Sequence, residues 1–325
     1  MAKQKLLLVD GSSLAFRAFF SILDLNRFKN SNGLHTNALY SFHRMFKSIL
    51  DSEKPTHVLV AWDAGKTTFR TEMYADYKGG RSKTPGEFIE QMPYFNVLLD
   101  AWGIPHYRLN QYEADDIIGT LARKGEEAGY EVVVLSGDKD LIQLADNNIT
   151  VKITTKGVTE LVEYTPEVIF EKYGLTPEQI IDMKGLMGDS SDNYPGVTKV
   201  GEKTAVKLLQ EFGSVEGIYE HVDEMKKSKL KENLINDKEL AFLSKKLARI
   251  NVESPIEITL EDTLRKEQDV DALMSFYKEM NFNSFQSDLL NSGGATVEEA
   301  PKAERPTVKR VAQISDNMLK SATSV

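Results

Sequence analysis

Nine acidic residues are spaced along this chain in a pattern that could hold metal ions: Asp10, Asp63, Glu113, Asp115, Asp116, Asp138, Asp140, Asp189 and Asp192. The densest group is Tyr112-Glu113-Ala114-Asp115-Asp116, with three carboxylates within four residues. Gly137-Asp138-Lys139-Asp140 follows one helix and one strand later. Acidic residues in a helix's first turn complement its dipole, each by roughly 0.3–1 kcal/mol, and an Asp after a strand often only turns the chain. Those ordinary roles explain either cluster alone. They explain both together poorly, because like charges held close repel and need something positive between them. With no cysteine and five histidines, the fitting counter-charge is a hard divalent cation with oxygen ligands.

The elements around these residues set their positions. Ile117, Ile118, Leu121 and Ala122 give the first cluster's helix an apolar face at helical spacing, and Gly129 ends it. Glu131 to Ser136 reads as a buried strand that delivers Asp138. Lys5 to Val9 is a strand ending at Asp10, and His57 to Trp62 another ending at Asp63. Three strands of an alternating β/α chain thus end in Asp, which predicts one shared site at the carboxyl edge of a parallel sheet. Ser12 or Ser13 is expected to cap the helix Leu14 to Leu23, which carries Arg17. A second helix is expected over Thr36 to Leu50, an amphipathic one over Phe88 to Trp102, and a fourth strand over Ile104 to Leu109.

Between Phe69 and Met92 cations and aromatic rings interleave. Arg70, Tyr74, Tyr77, Lys78 and Arg81 follow i, i+3, i+4 spacings, so a helical segment would present phosphate binders and stacking rings on one side, with Lys83 close by. A solvated loop is the plainer reading of the same residues. Further on, a hairpin is expected around Lys156-Gly157. Thr165-Pro166 and Thr176-Pro177 start capped helices. Gly188-Asp189-Ser190-Ser191-Asp192 then supplies the last two carboxylates.

Pro195 to Ala205 is not a phosphate-binding Walker loop, because Glu202 separates Gly201 from Lys203. A tight hairpin between helices fits instead, with free amides at the start of a helix over Lys203 to Phe212. Such amides suit a phosphodiester backbone; a plain helical hairpin is the alternative. Lys226 to Arg249 is helical and basic, Leu273 to Phe285 makes a last amphipathic helix, and a linker begins at Asn291.

The 325-residue chain has ordinary globular composition, with 27% charged and 41% hydrophobic residues. The lack of cysteine excludes disulfides and thiol catalysis and fits a reducing cytoplasm. No apolar run approaches the ~20 residues of a membrane helix. The net charge of −9 argues only superficially against a polyanionic partner, since local distribution matters more.

Taken together, Leu7 to Gly11, Trp62-Asp63, Phe69-Arg70, Tyr77 to Arg81, Tyr112 to Asp116, Gly137 to Asp140, Gly188 to Asp192 and Pro195 to Thr204 resemble the 5′ nuclease (flap endonuclease) superfamily. Within it, the pattern is most similar to the 5′→3′ exonuclease domains at the front of bacterial DNA polymerases. The resemblance covers about residues 3 to 290. It implies an α/β fold with a mixed, mainly parallel sheet, a helical arch over about 66–94 and a helix-hairpin-helix subdomain. The expected division is a metal-binding nuclease core at 1–180, the hairpin subdomain at 181–290, a linker at 291–307 and a truncated further domain at 308–325.

The resemblance also implies two Mg²⁺ or Mn²⁺ ions. Asp10, Asp63, Glu113, Asp115, Asp116 and Asp138 would serve the first, and Asp140, Asp189 and Asp192 the second. Lys78 and Arg81 would approach the scissile phosphate, and Tyr77 would stack on a base. The carbonyls of Val197 and Val200 would hold K⁺. Arg17, Arg70, Tyr74, Lys83, Lys199, Gly201, Lys203 and Thr204 complete the expected DNA contacts. The implied partners are DNA with a 5′ flap, nick or 5′ end, an RNA primer, and a polymerase; the implied protein is a monomer associated with the nucleoid. A related ribonuclease and a catalytically inactive DNA-binding module are the rival readings. A phosphatase reading of Asp10 fails because Ser12 stands where a second Asp is needed.

Overall fold

Hydrophobic runs of five to six residues build the centre of the molecule. The computed structural model describes residues 4–65, 67–80, 83–155 and 160–291. Strands β1 (Lys5–Asp10), β2 (His57–Trp62), β3 (His106–Arg108), β4 (Glu131–Ser136), β5 (Ile149–Thr154) and β6 (Leu161–Tyr164) form one sheet in the order β3-β2-β1-β4-β5-β6. All pairings are parallel except β5 with β6. Leu7 lies opposite both Val58 and Val133, which keeps the two faces in phase across β1, β2 and β4. Such strands need cover on both faces, and their apolar residues on alternate sides recruit helices to each.

On one face Leu7, Val9, Val58, Val60, Val133 and Leu135 pack against α1 (Gly11–Phe20), α2 (Asn37–Glu53) and α5 (Met92–Ala101). Between α2 and α5 the chain forms α3 (Phe69–Met73) and α4 (Gly86–Ile89). The opposite face, with Leu6, Leu8, Leu59, Val132 and Val134, packs against α6 (Ala114–Glu127). The same apolar cluster runs on without a break into α7 (Pro166–Tyr173), α8 (Pro177–Met187), α9 (Glu202–Phe212) and α10 (Val215–His221). It also takes in α11 (Lys229–Asn236) and α12 (Lys238–Ala248). Two last helices, α13 (Val270–Glu279) and α14 (Asn283–Asn291), return to the first face.

Capping follows the residue types closely. The Thr165 and Thr176 hydroxyls each accept an amide of the helix they open. At α2 no local side chain does so. Gln91, fully buried, accepts the Ala38 and Leu39 amides at 2.9 and 3.3 Å and donates to Asn37 Oδ1 at 2.9 Å.

The structure corrects five local expectations, one being the helix over Phe88 to Trp102: α4 ends at Ile89 and α5 starts at Met92. The first helix starts at Gly11, and its cap is Asp10 itself, which accepts the Ser13 amide; neither serine caps it. The helix after Phe69 lasts five residues, because Tyr74 turns to extended backbone and Lys78 takes a left-handed φ of 56°. Arg70, Tyr74, Tyr77 and Lys78 therefore do not share a helix face. The final helix is two, broken where Asn281 adopts φ 60°. Lys226 to Arg249 is likewise split at Asp237. The expected turn at Lys156-Gly157, the arch residue Arg81, the linker beyond Asn291 and the segment 308–325 lie outside the described residues.

Candidate active site

Three adjacent parallel strands deliver Asp10, Asp63 and Asp138 to one edge of the sheet. Hydroxyls fix them there. Ser136 Oγ donates to Asp10 Oδ2 at 2.7 Å and accepts the Asp138 amide at 3.0 Å. Asp10 Oδ1 accepts the Ser13 amide at 2.9 Å, while Ser13 Oγ accepts that of Gly137 at 3.0 Å. Ser12 Oγ accepts the Asp63 amide at 3.0 Å, and Asp63 Oδ1 in turn receives the Ala114 amide at 2.9 Å. The last bond sets the start of α6, with Glu113 and Asp115, against the strand ends.

The electrostatics register this crowding. Burial, then repulsion from Asp63 and also Asp138, pushes the Asp10 carboxyl up to about 7, although Ser13 and Ser136 offset part of it. Asp115 is raised well above the ordinary carboxylate range by burial, Asp10, Asp138 and Glu113, against the opposing pull of Lys78. Protons or cations must neutralise such a group.

A second cluster lies beside the first. Burial and the Asp138 charge push Asp140 up to about 7, against the pull of Lys184. The Lys184 ammonium, on the last turn of α8, sits 2.6 Å from Asp140 Oδ1 and 2.5 Å from Asp189 Oδ2. Burial opposes ionisation of Asp189, but Lys184 and Ser191 prevail and hold it at about 2. Asp192 is buried and accepts the Tyr77 hydroxyl at 3.1 Å.

Three expected site residues are engaged inside the protein in this structure. Arg70, expected to meet DNA, is 2% exposed and spends its guanidinium on Glu113 and Asp116. Asp116, expected to bind metal, is fully buried with both oxygens engaged by Arg70 and by the Glu113 and Asn251 amides. Tyr77, expected to stack on a base, is 5% exposed; its ring stacks on Tyr194 and its hydroxyl meets Glu113 and Asp192. Lys78 stays on the rim, half-buried and ion-paired to Glu113. Its amide donates to the Asp192 carbonyl at 2.8 Å, which ties this loop to the second cluster. Tyr74 is half-buried, Lys83 is exposed, and Arg17 donates to the Thr155 carbonyl at 2.6 Å.

The hairpin between α8 and α9 is built on close backbone approach. Gly196 has φ 61°, and a Cβ there would lie 2.2 Å from the Gly188 nitrogen. Its amide donates to Ser244 Oγ on α12 at 2.9 Å. The Val197 and Val200 side chains are buried, and the Val200 amide donates to the Val197 carbonyl at 3.1 Å. Lys199, Gly201 and Lys203 are exposed, and Gly201 precedes α9 without a side-chain cap. The Thr204 amide is taken by the Gly201 carbonyl at 3.1 Å.

The sequence reading missed Lys184 and the anchoring role of Ser136. The spacing of Lys184, five residues before Asp189 across a helix end, was the available signal for the first. Nothing local signals the second, because Asp10 lies 126 residues away from Ser136.

Among the described residues no three carboxylates already converge as a formed metal cage. Ammonium groups of Lys78 and Lys184 hold Glu113, Asp140 and Asp189 instead. The donor set nonetheless suits hard divalent cations. It is all oxygen, and burial first, then repulsion from neighbouring carboxylates, disfavours the unpaired charged forms of Asp10, Asp115 and Asp140.

A mainly parallel sheet with acidic strand ends, a loop tied through Tyr77 and Lys78 to Glu113 and Asp192, and a helical hairpin define the flap-nuclease type of fold. The model for "5'-3' exonuclease, N-terminal resolvase-like domain" matches residues 5–174, and that for "5'-3' exonuclease, C-terminal SAM fold" matches 175–271. The chain belongs to the 5′-3′ exonuclease family. It is 59% identical over 305 residues to DNA polymerase I of Lactococcus lactis subsp. cremoris (strain MG1363), covering 93% of this chain and 35% of that one. To DNA polymerase I of Bacillus subtilis (strain 168) it is 51% identical over 322 residues, covering 99% and 36%. The chain thus spans about a third of the length of these relatives. Among solved structures, T5 5'-exonuclease with divalent metal ions (zinc) bound matches at TM-score 0.63 and 25% identity, covering 89% of this chain and 99% of that one. The catalytic core of Rad2 in complex with DNA substrate shares the fold at TM-score 0.61 and 17% identity, covering 89% and 91%.

Proposed function

We propose that the chain is a structure-specific 5′ nuclease that hydrolyses DNA phosphodiesters at 5′ ends, nicks and 5′ flaps, RNA primers included, during replication and repair. The observation that carries this reading is the delivery of Asp10, Asp63 and Asp138 by neighbouring parallel strands to one charge-crowded edge. Asp10, Asp63, Glu113, Asp115 and Asp138 would hold one Mg²⁺ or Mn²⁺, and Asp140, Asp189 and Asp192 a second. When bound, such ions would supply activation of water and charge neutralisation for the hydrolysis. Ser136 and Ser13 keep the acceptor oxygens of Asp10 aimed and anchor the Gly137-Asp138 turn beside it. Lys78, and Arg81 after it in sequence, would meet the phosphate's growing charge. Breaking the P–O3′ bond leaves a 5′-phosphate and a 3′-hydroxyl.

Exposed Gly201, ahead of α9, and Lys203, in its first turn, would suit a duplex phosphate, and the Val197 and Val200 carbonyls a K⁺ ion. The chain would work as a monomer, and its similarity to about a third of the DNA polymerase I relatives supports action beside, or joined to, a polymerase. The test is a double-flap DNA labelled at its 5′ end, incubated with and without Mg²⁺ and read at nucleotide resolution. A metal-dependent cut at the flap junction, or one nucleotide inside it, supports the reading. Junction binding without any cut, in Mg²⁺ and in Mn²⁺, would favour a catalytically weak DNA-binding module.

A further inference from the structure

Arg70 has five N–H groups, and the structure supplies five acceptors for them. Nη1 donates to Glu113 Oε2 and Asp116 Oδ2, and Nη2 to Asp116 Oδ1 and the Arg249 carbonyl, all at 2.8 Å. Nε donates to the Leu247 carbonyl at 2.9 Å. An arginine that grips a phosphate needs donors to spare; this one has none.

Its acceptors belong to different parts of the molecule. Glu113 faces the active site, where it also pairs with Lys78 and Tyr77. Asp116 clamps the start of α6 by taking the Glu113 amide at 3.1 Å. Leu247 and Arg249 lie at the C-terminal end of α12, where the helix dipole favours a cation. The same α12 holds the hairpin through Ser244 and Gly196. One guanidinium therefore stands between the helix that braces the hairpin and a carboxylate of the catalytic edge.

We propose that Arg70 is a positioning residue: it sets Glu113 for cation binding and couples that carboxylate to α12 and the hairpin, without touching DNA. The proposal rests on the nuclease reading for the cation it invokes. Three variants test it in the full chain: Arg70→Lys, Arg70→Gln and Asp116→Asn, together with the double variant Arg70→Gln/Asp116→Asn. Mn²⁺ binding is measured by electron paramagnetic resonance without DNA, flap-DNA affinity in EDTA, and folding by far-UV circular dichroism.

The expected result is a loss of at least tenfold in Mn²⁺ affinity for every single variant, with flap-DNA affinity within threefold of the parent. Arg70→Lys does not rescue, because an ammonium's three donors cannot serve five acceptors. The double variant is no worse than Arg70→Gln alone, as expected if both residues act on Glu113 through their shared ion pair. If Arg70→Gln fails to fold, the Lys and Asn variants decide. Unchanged Mn²⁺ affinity in a folded Arg70→Lys or Asp116→Asn protein overturns the proposal, and so does a tenfold loss of DNA affinity with Mn²⁺ binding intact. A parent chain that binds Mn²⁺ yet cuts no flap defeats the nuclease reading and leaves this test standing.

Discussion

Ser136 Oγ lies 2.7 Å from Asp10 Oδ2, so a hydroxyl at the end of one strand aims the carboxylate at the end of its neighbour. Ser136 is itself fully buried, and its oxygen also receives the Asp138 amide. Ser136→Ala would leave that amide and a buried carboxylate oxygen short of a partner, at a cost of roughly 1–3 kcal/mol. The expected outcome is a Tm several degrees lower and flap cleavage about tenfold slower at limiting Mg²⁺. A variant matching the parent in both assays would show that the hydroxyl merely fills space.

Asp138→Asn or Asp115→Asn keeps shape and removes charge. Cleavage should fall below detection, while the affinity for flap DNA in EDTA stays within a few-fold of the parent. Gel-based cleavage and fluorescence anisotropy measure the two separately, and normal turnover by either variant would sink the metal assignment.

Lys184 bridges Asp140 and Asp189 within a largely buried pocket. Removing one partner of such a group is costly, on the order of 3 kcal/mol, because the carboxylates lose their counter-charge. Lys184→Met should therefore lower the Tm in EDTA. Added Mg²⁺ should raise the variant's Tm by more than it raises the parent's, since a ligand that binds only the folded state stabilises it. Equal Mg²⁺-induced shifts in a calorimeter would refute this.

His43 is buried against Phe285, ring centroids 3.7 Å apart, with Nε2 2.7 Å from the Tyr277 hydroxyl. Burial, and then the Lys47 charge, push its pKa from 6.5 down to about 3. The unfolded chain binds the extra proton first. Stability from this group is thus complete above about pH 6.5 and is lost as the pH falls towards 3, by roughly 1.4 kcal/mol per pH unit. Urea unfolding between pH 7 and 5 should show a steeper acid loss for the parent than for His43→Gln. Parallel slopes would mean that the folded protein accepts the proton.

The carboxylate edge was legible because its residues are local to strand ends, where period and turn residues fix both position and direction. Asp10, Asp63 and Asp138 needed only the inference of a parallel sheet. The burial of Arg70, Asp116 and Tyr77 was not legible, for a physical reason. Their types match a nucleic-acid surface, but their partners are distant in sequence: Arg70 meets the Leu247 and Arg249 carbonyls 177 and 179 residues on, and Tyr77 meets Asp192 115 residues on. Helical spacing over Phe69 to Arg81 was a poor guide as well. The Lys78 amide is drawn to the Asp192 carbonyl, and that tertiary bond outweighs local periodicity. The break at Asn281 was hidden by apolar residues on both sides, which pack equally well from two short helices.

One apolar cluster joins Leu6 and Leu8 of the sheet to Ile117 of α6 and onward to Leu186, Leu208 and Leu209. The boundary between the two matched segments, at residues 174 and 175, therefore passes through shared interior. Severing the chain there would uncover oily surface on both pieces, so each half is expected to fold poorly by itself. Heat should melt the sheet and the hairpin-bearing helices in a single cooperative transition.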